Sequence, residues 1–237
     1  MKYTIHSSQS RGKADHNWLK TNYSFSFADY YNPERMGFGA LRVLNDDSIA
    51  GGMGFDAHPH QNMEIITIPL SGGLEHKDNL GNTAVSKPGD IQVMSAGSGV
   101  FHSEYNAHRD QEVSLLQVWV IPNVMGVSPR YEQRSFDVFS QKNIFHQIIS
   151  PMNSGEQGIG IYQQAWFQRC ILEKGHSLEY SLKQQGNGVY IFVISGVMKV
   201  NNQELHTRDA IGIEDIQSGI MCLAQEETEF IVFEVPV

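Results

Sequence analysis

Cysteine is nearly absent from this 237-residue chain: only Cys170 and Cys222 occur, each flanked by apolar neighbours. A disulfide framework is therefore not expected; free, packed thiols are the expectation, with a redox pair as the alternative. No apolar run approaches the ~18 residues of a membrane helix, and the opening stretch MKYTIHSSQSRGKADHNW lacks the apolar centre of a signal peptide. The expected location is therefore the cytoplasm, with no membrane partner. Basic charge is also scarce, 17 Lys and Arg against 26 Asp and Glu, for a net charge of -9. No Lys/Arg run with interleaved aromatics exists, which argues against direct binding to nucleic acid phosphates. A protein partner stays open.

Helical periodicity is almost missing too. What is present is a series of short apolar segments, among them LRVLND, MEIITIPLSGG, DIQVMSAGSG, VSLLQVWVIP, YIFVISGVMKV and EFIVFEVPV, punctuated by Gly, Asn, Asp and Pro. Together with 22 glycines and 10% aromatic residues, this pattern predicts an all-β protein of the sandwich or barrel kind. The stretch from Leu70 to Gly99 can be laid beside that from Ile194 to Gly219. Each leaves an apolar run through Ser-Gly (Ser71-Gly72, Ser195-Gly196), passes a polar turn and enters an Asp-led strand, GDIQVM or RDAIGI. One β unit is expected twice, joined somewhere in residues 122 to 150.

The first unit carries the unusual chemistry. In FDAHPHQNMEII, His58 and His60 are two apart, so an extended chain points both to one face, and Glu64 would share that face. Forty residues on, GSGVFHSEYN offers His102 and Glu104 at the same spacing. Two facing strands would thus present three imidazoles and a carboxylate, a donor set suited to a first-row transition metal with room for further ligands. The bland alternative is a solvated His-Pro-His loop; the second pair at matching spacing tips the balance to metal. His6, His16, His76, His108, His146, His176 and His206 lack such pairing and are read as surface or packing residues, and Glu75 as solvated. Phe25, Phe27, Phe38, Phe55, Phe101 and Trp119 are candidates to line an aromatic cleft, although strand aromatics more often fill cores.

Gly52-x5-His58-x-His60-x3-Glu64, Pro88-Gly89-Asp90 and Gly99-x2-His102-x3-Asn106 resemble the two motifs of the cupin superfamily, except that the glycine closing the first motif falls one place late, at Gly72. More narrowly, residues 11 to 47 (RGKADHNWLKTNYSFSFADYYNPERMGFGALRVLNDD), MSAGSGVFHSEYN and PRYEQRSF look like pirin and its bacterial relatives. The resemblance implies a bicupin of two consecutive β-barrels: a metal-binding domain over residues 1–135 and a second cupin domain over 136–237 without metal ligands. It implies His58, His60, His102 and Glu104 as the ligands, and leaves Glu64, a ligand in many other cupins, as a group behind them. In the second unit Leu182, Lys183 and Gln184 are expected where ligands would stand. Fe(II) is the metal expected first, with Cu, Mn, Ni, Co or Zn as alternatives.

The activity implied is quercetinase-like, a quercetin 2,3-dioxygenase reaction in which a small aromatic or enolic substrate is opened by O2. Glu104 would then double as the catalytic proton acceptor, should its bond to the metal be labile. The alternative drawn from the same resemblance is an iron-binding, redox-sensing regulatory protein acting through protein partners.

Overall fold

A computed structural model describes residues 1–237. The chain forms 22 strands and one short 3-10 turn at Ser8–Ser10, so the all-β expectation holds. No helix is long and apolar enough to cross a membrane.

Four sheets pair into two barrels. In the first, a seven-stranded sheet runs in the order Arg130–Ser135, Asp90–Ser95, Glu64–Ser71, Val113–Val120, Leu41–Ile49, Leu19–Tyr23 and Gly12–Asp15. It faces a four-stranded sheet of Gly54–His60, Val100–Asn106, Leu74–Asp78 and Thr83–Ser86. The second barrel repeats the plan, its large sheet ordered Lys2–His6, Ala210–Glu214, Asn187–Ser195, Thr228–Pro236, Trp166–Leu172, His146–Pro151 and Ile159–Ile161. Its small sheet is Ser177–Tyr180, Ile220–Ala224, Val197–Val200 and Gln203–His206. The N-terminal strand Lys2–His6 therefore sits in the sheet of the second barrel, antiparallel to Ala210–Glu214.

The repeat read from the sequence is the repeat of the fold. Glu64–Ser71 and Asn187–Ser195 occupy equivalent central places and end on Ser71 and Ser195. Each hands over to a glycine in the left-handed region, Gly72 at φ 71° and Gly196 at φ 94°, a turn that other residues enter only with strain.

Strand periodicity of two sorts the side chains of each large sheet. Outward residues such as Ile66, Ile68, Val93 and Leu116 meet Ile148, Phe167, Tyr190 and Phe233 of the other barrel in one cluster of 23 buried residues. The barrels are thus joined back to back through their large sheets. The second barrel is filled by a continuous cluster of 16 residues, including both cysteines. Apolar packing inside the first breaks into two small groups, one around Leu19, Ile49 and Leu115, the other around Ile65, Met94 and Val100.

Candidate metal centre

Between those two groups lies a belt of polar side chains. Strand Gly54–His60 pairs antiparallel with Val100–Asn106, placing His102 directly across from His58, and Val100 across from His60. Directly opposed side chains in such a pair stand on one face, so the His-x-His pair and His102 converge as the spacing predicts. Their ring centroids lie 4.8 Å (His58 and His60), 4.5 Å (His58 and His102) and 4.9 Å (His60 and His102) apart, and one ligand atom from each falls within 4.8 Å of the others.

The ring orientations suit a cation. His58 Nδ1 is 2.7 Å from the Asp56 carbonyl oxygen; a carbonyl only accepts, so Nδ1 donates and the Nε2 lone pair is left free. His102 Nε2 is buried with no hydrogen-bond partner, an orphan of the kind that asks for an explanation. Burial, then the neighbouring His58, pushes the His60 imidazole down to about 4. Burial followed by the surrounding imidazoles lowers His102 to about 2. Both rings are therefore neutral lone-pair donors at pH 7, the form in which imidazole binds a divalent metal. The residues present fit such an ion.

Glu104 is brought to the same belt. A register shift between His102 and Glu104 against the first strand leaves the carboxyl buried at 3% exposure. Gln117 Nε2 donates to its Oε2 at 2.9 Å, and Thr67 Oγ1 reaches Oε1 at 3.4 Å. Glu104 groups with His102 and His76, with ligand atoms within 4.8 Å of one another, and is not part of the group of His58, His60 and His102. Desolvation dominates the carboxyl and raises it above the ordinary range.

The three rings open on a cavity of about 210 Å³, walled by Phe27, Phe55 and Trp119 and floored by Asn45, Asp47 and Gln117. Burial pushes the Asp47 carboxyl up to about 7. Of the six candidate aromatics, three thus line the cleft. Phe25 and Phe38 instead pack on Tyr190 between the barrels, with ring centroids at 5.4 and 5.5 Å, and Phe101 is exposed.

Glu64 does not share the histidine face. Asn62, at φ 49°, breaks the chain, so Glu64 opens a new strand, and its neighbour Ile65 is the residue that lines the cavity. Strand alternation turns Glu64 the other way, towards the second barrel, and its Oε2 accepts from Ser95 Oγ of the adjacent strand in its own sheet at 2.7 Å. Leu182, Lys183 and Gln184 likewise lie past the end of Ser177–Tyr180, where Leu182 packs against the edge of the apolar cluster and the Lys183 and Gln184 amides donate to Glu234. The positions equivalent to His58 and His60 are Leu178 and Tyr180, set across from Cys222 and Ile220.

His76, read as a surface or packing residue, is fully buried behind His102 and touches it. The signal that could have found it was there: His76-x-Asp78 has the same two-residue spacing as the other pairs.

Two barrels packed back to back, with one histidine-lined interior and one apolar interior, define a bicupin with a single candidate metal site. The pirin family model matches residues 4–120, and the model of the quercetinase C-terminal cupin domain matches residues 147–235. Quercetin 2,3-dioxygenase from Escherichia coli (strain K12) is 38% identical over 232 residues, 98% of each chain. A pirin-like protein from Caulobacter vibrioides is 39% identical over 223 residues, 94% of this chain and 95% of that one. Among solved structures, the bacterial pirin YhhW from Escherichia coli in complex with nickel(II) superposes with a TM-score of 0.93 at 36% identity, covering 99% of both chains. The chain belongs to the pirin family.

Proposed function

We propose that the protein is a metal-dependent dioxygenase of the quercetinase type, opening quercetin or a related flavonol with O2. One observation carries this reading: three imidazoles, one with an orphaned buried Nε2, converge in an aromatic-walled cavity. The names of the full-length relatives support the choice of substrate class. His58, His60, His102 and Glu104 would hold the ion, Fe(II) in the first instance. Once bound, a divalent ion in this set keeps net positive charge and acidifies a phenolic hydroxyl beside it.

The chain's own residues supply the rest. Glu104, steadied by Gln117 and Thr67, accepts the hydroxyl proton. Phe27, Phe55 and Trp119 stack on the reacting ring and exclude water. Asn45 Oδ1 and Trp119 Nε1 are buried without partners, an acceptor and a donor available to ring substituents. At about 210 Å³ the cavity is smaller than the ~300 Å³ at which common ligand pockets begin. It seats the reacting ring system and leaves the remainder of a flavonol at the mouth.

The test is anaerobic metal analysis of chelator-free protein, followed at once by oxygen-electrode assay of the same sample with quercetin. About one transition-metal ion per chain is expected, with O2 uptake that is absent from the His58→Ala, His60→Ala double variant. Stoichiometric metal with no uptake above that variant overturns the reading and favours the regulatory alternative.

A further inference from the structure

This inference rests on the metal reading of the site and concerns the face of His102 turned away from the cavity. His76, on the strand Leu74–Asp78, is fully buried. Its Nδ1 lies 3.3 Å from His102 Nδ1, and its Nε2 lies 3.0 Å from Asp78 Oδ2. The ring is sandwiched in place by Tyr131, stacked at 4.6 Å with an interplanar angle of 27°.

The proton positions along this chain of three side chains follow from which atoms can donate. Asp78 accepts from the Leu80 amide at 3.0 Å and from the Asn82 amide at 2.9 Å through Oδ1, and from Asn82 Nδ2 at 2.8 Å through Oδ2. A carboxylate so surrounded is an acceptor, so the proton between it and His76 sits on His76 Nε2. The lone pair of the His76 ring then belongs at Nδ1. Gln92 Nε2, an obligate donor, points at that same atom from 3.4 Å, which agrees. His102 Nδ1 must therefore be the donor of the 3.3 Å contact, and its Nε2, the buried atom with no partner, holds the lone pair. The reverse arrangement would place an N–H at His102 Nε2 with nothing to accept it. It would also set two donors, Gln92 and His76, against each other.

We infer that His76 and Asp78 are positioning residues that hold His102 as its Nδ1–H tautomer, so that the Nε2 lone pair faces the metal before any metal arrives. The arrangement lowers the reorganisation needed on binding and increases the basicity of the ligand, as partners behind metal-binding histidines do.

Long-range proton–nitrogen NMR on protein labelled with nitrogen-15 in histidine reads the tautomer directly, in the metal-free protein and with Zn(II) as a diamagnetic probe; chelator competition gives the Zn(II) affinity. The metal-free wild type is expected to show His102 protonated at Nδ1. His76→Leu removes the acceptor, so His102 should divide between tautomers and Zn(II) affinity fall about 10- to 100-fold. Asp78→Asn should mix the tautomers with a smaller loss. His76→Asn puts an amide oxygen near the lost Nδ1, and should restore the tautomer and most of the affinity; a merely space-filling role predicts no such rescue. A proton on His102 Nε2 in the wild type, or an unchanged tautomer and affinity in both His76→Leu and Asp78→Asn, overturns the inference. Should His76→Leu fail to fold, Asp78→Asn and His76→Asn decide it alone. A protein with the expected tautomer that binds no Zn(II) would instead overturn the metal reading and leave the proton assignment standing.

Discussion

The two barrels share a frame and differ in what they point inward. Strand pairing makes the comparison residue by residue: His58 opposite His102 becomes Leu178 opposite Cys222, and His60 opposite Val100 becomes Tyr180 opposite Ile220. On the next strand, Glu104 opposite His76 becomes Ala224 opposite Met198, and His102 opposite Asp78 becomes Cys222 opposite Val200. In the large sheets, Thr67 with Gln92 and Gln117 is replaced by Ile191 with Ile211 and Val232. His58, His102 and Glu104 have the apolar or thiol counterparts Leu178, Cys222 and Ala224, whereas His60 has Tyr180, whose hydroxyl donates to the buried Glu234 at 2.7 Å. Backbone geometry therefore does not make the site; a belt of inward polar residues does, at the expense of a continuous core. Function is grafted on one copy of a frame whose other copy is free to pack.

The sharpest way to break this contrast is to copy one interior into the other. His58→Leu with His102→Ala removes the central imidazole pair, as the second barrel does, without leaving a thiol that could itself bind a metal. Transition-metal affinity should fall more than 100-fold, measured by chelator competition, because two of three convergent imidazoles are gone. The barrel should still fold, since the second one does with Leu178 opposite a small side chain. If the variant keeps its metal within tenfold, the ligand assignment is wrong.

A second break falls on the shared boundary. Phe233 is fully buried and edge-on to Phe167, with centroids at 4.7 Å and an interplanar angle of 76°, within the cluster joining the barrels. Phe233→Ala should destabilise the protein by about 3–5 kcal/mol, seen as a fall in denaturant midpoint. A loss below 1 kcal/mol would mean that the barrels do not depend on this contact.

Most of this was legible in the chain before its structure. Alternating apolar segments and the Ser71-Gly72 and Ser195-Gly196 turns announced the repeated β unit, because period two and left-handed glycines are local properties. The pairs His58, His60 and His102, Glu104 were legible for the same reason, since spacing of two sets the face wherever the strand is straight. Glu64 fails that rule: Asn62 enters the left-handed region, and a short Gln61-Asn62-Met63 turn resets which face follows. His76 and Asp78 share that spacing of two, but their place behind His102 depends on register against Val100–Asn106, a long-range pairing that spacing alone does not give. The same holds for Leu182, Lys183 and Gln184, expected in the interior but displaced past the end of their strand.

Glu64 supplies a test of smaller size. It is 1% exposed, and burial, only partly offset by bonds from Ser95 and the Tyr162 amide and by Arg130, pushes its carboxyl up to about 7. The folded protein then holds this proton more tightly than the unfolded chain does, whose value is 4.5. The carboxyl's contribution is favourable below about 4.5 and is lost as pH rises towards 7. Glu64→Gln keeps the shape and an acceptor for Ser95 while removing the charge. It should stabilise the protein at pH 8 by roughly 1–3 kcal/mol and change little at pH 4.5, read from urea midpoints at both pH values. Equal effects at both would show that the carboxyl is not held protonated between the barrels.

The smallest expected effect concerns the thiol that stands in the place of a ligand. Cys222 occupies the position of His102, and Cys170 lies in the same apolar cluster. Both are free and fully buried. Burial pushes the Cys170 thiol up to about 12, and burial together with Cys170 raises Cys222 further. A thiol so desolvated is neither nucleophile nor metal ligand at neutral pH, because both roles need the thiolate. An aromatic disulfide reagent should therefore leave the native protein unlabelled over an hour at pH 8 and label two thiols once urea unfolds it. Labelling of Cys222 in the native protein would mean that the second interior opens to solvent. The contrast between the barrels would then be one of access as well as of side chains.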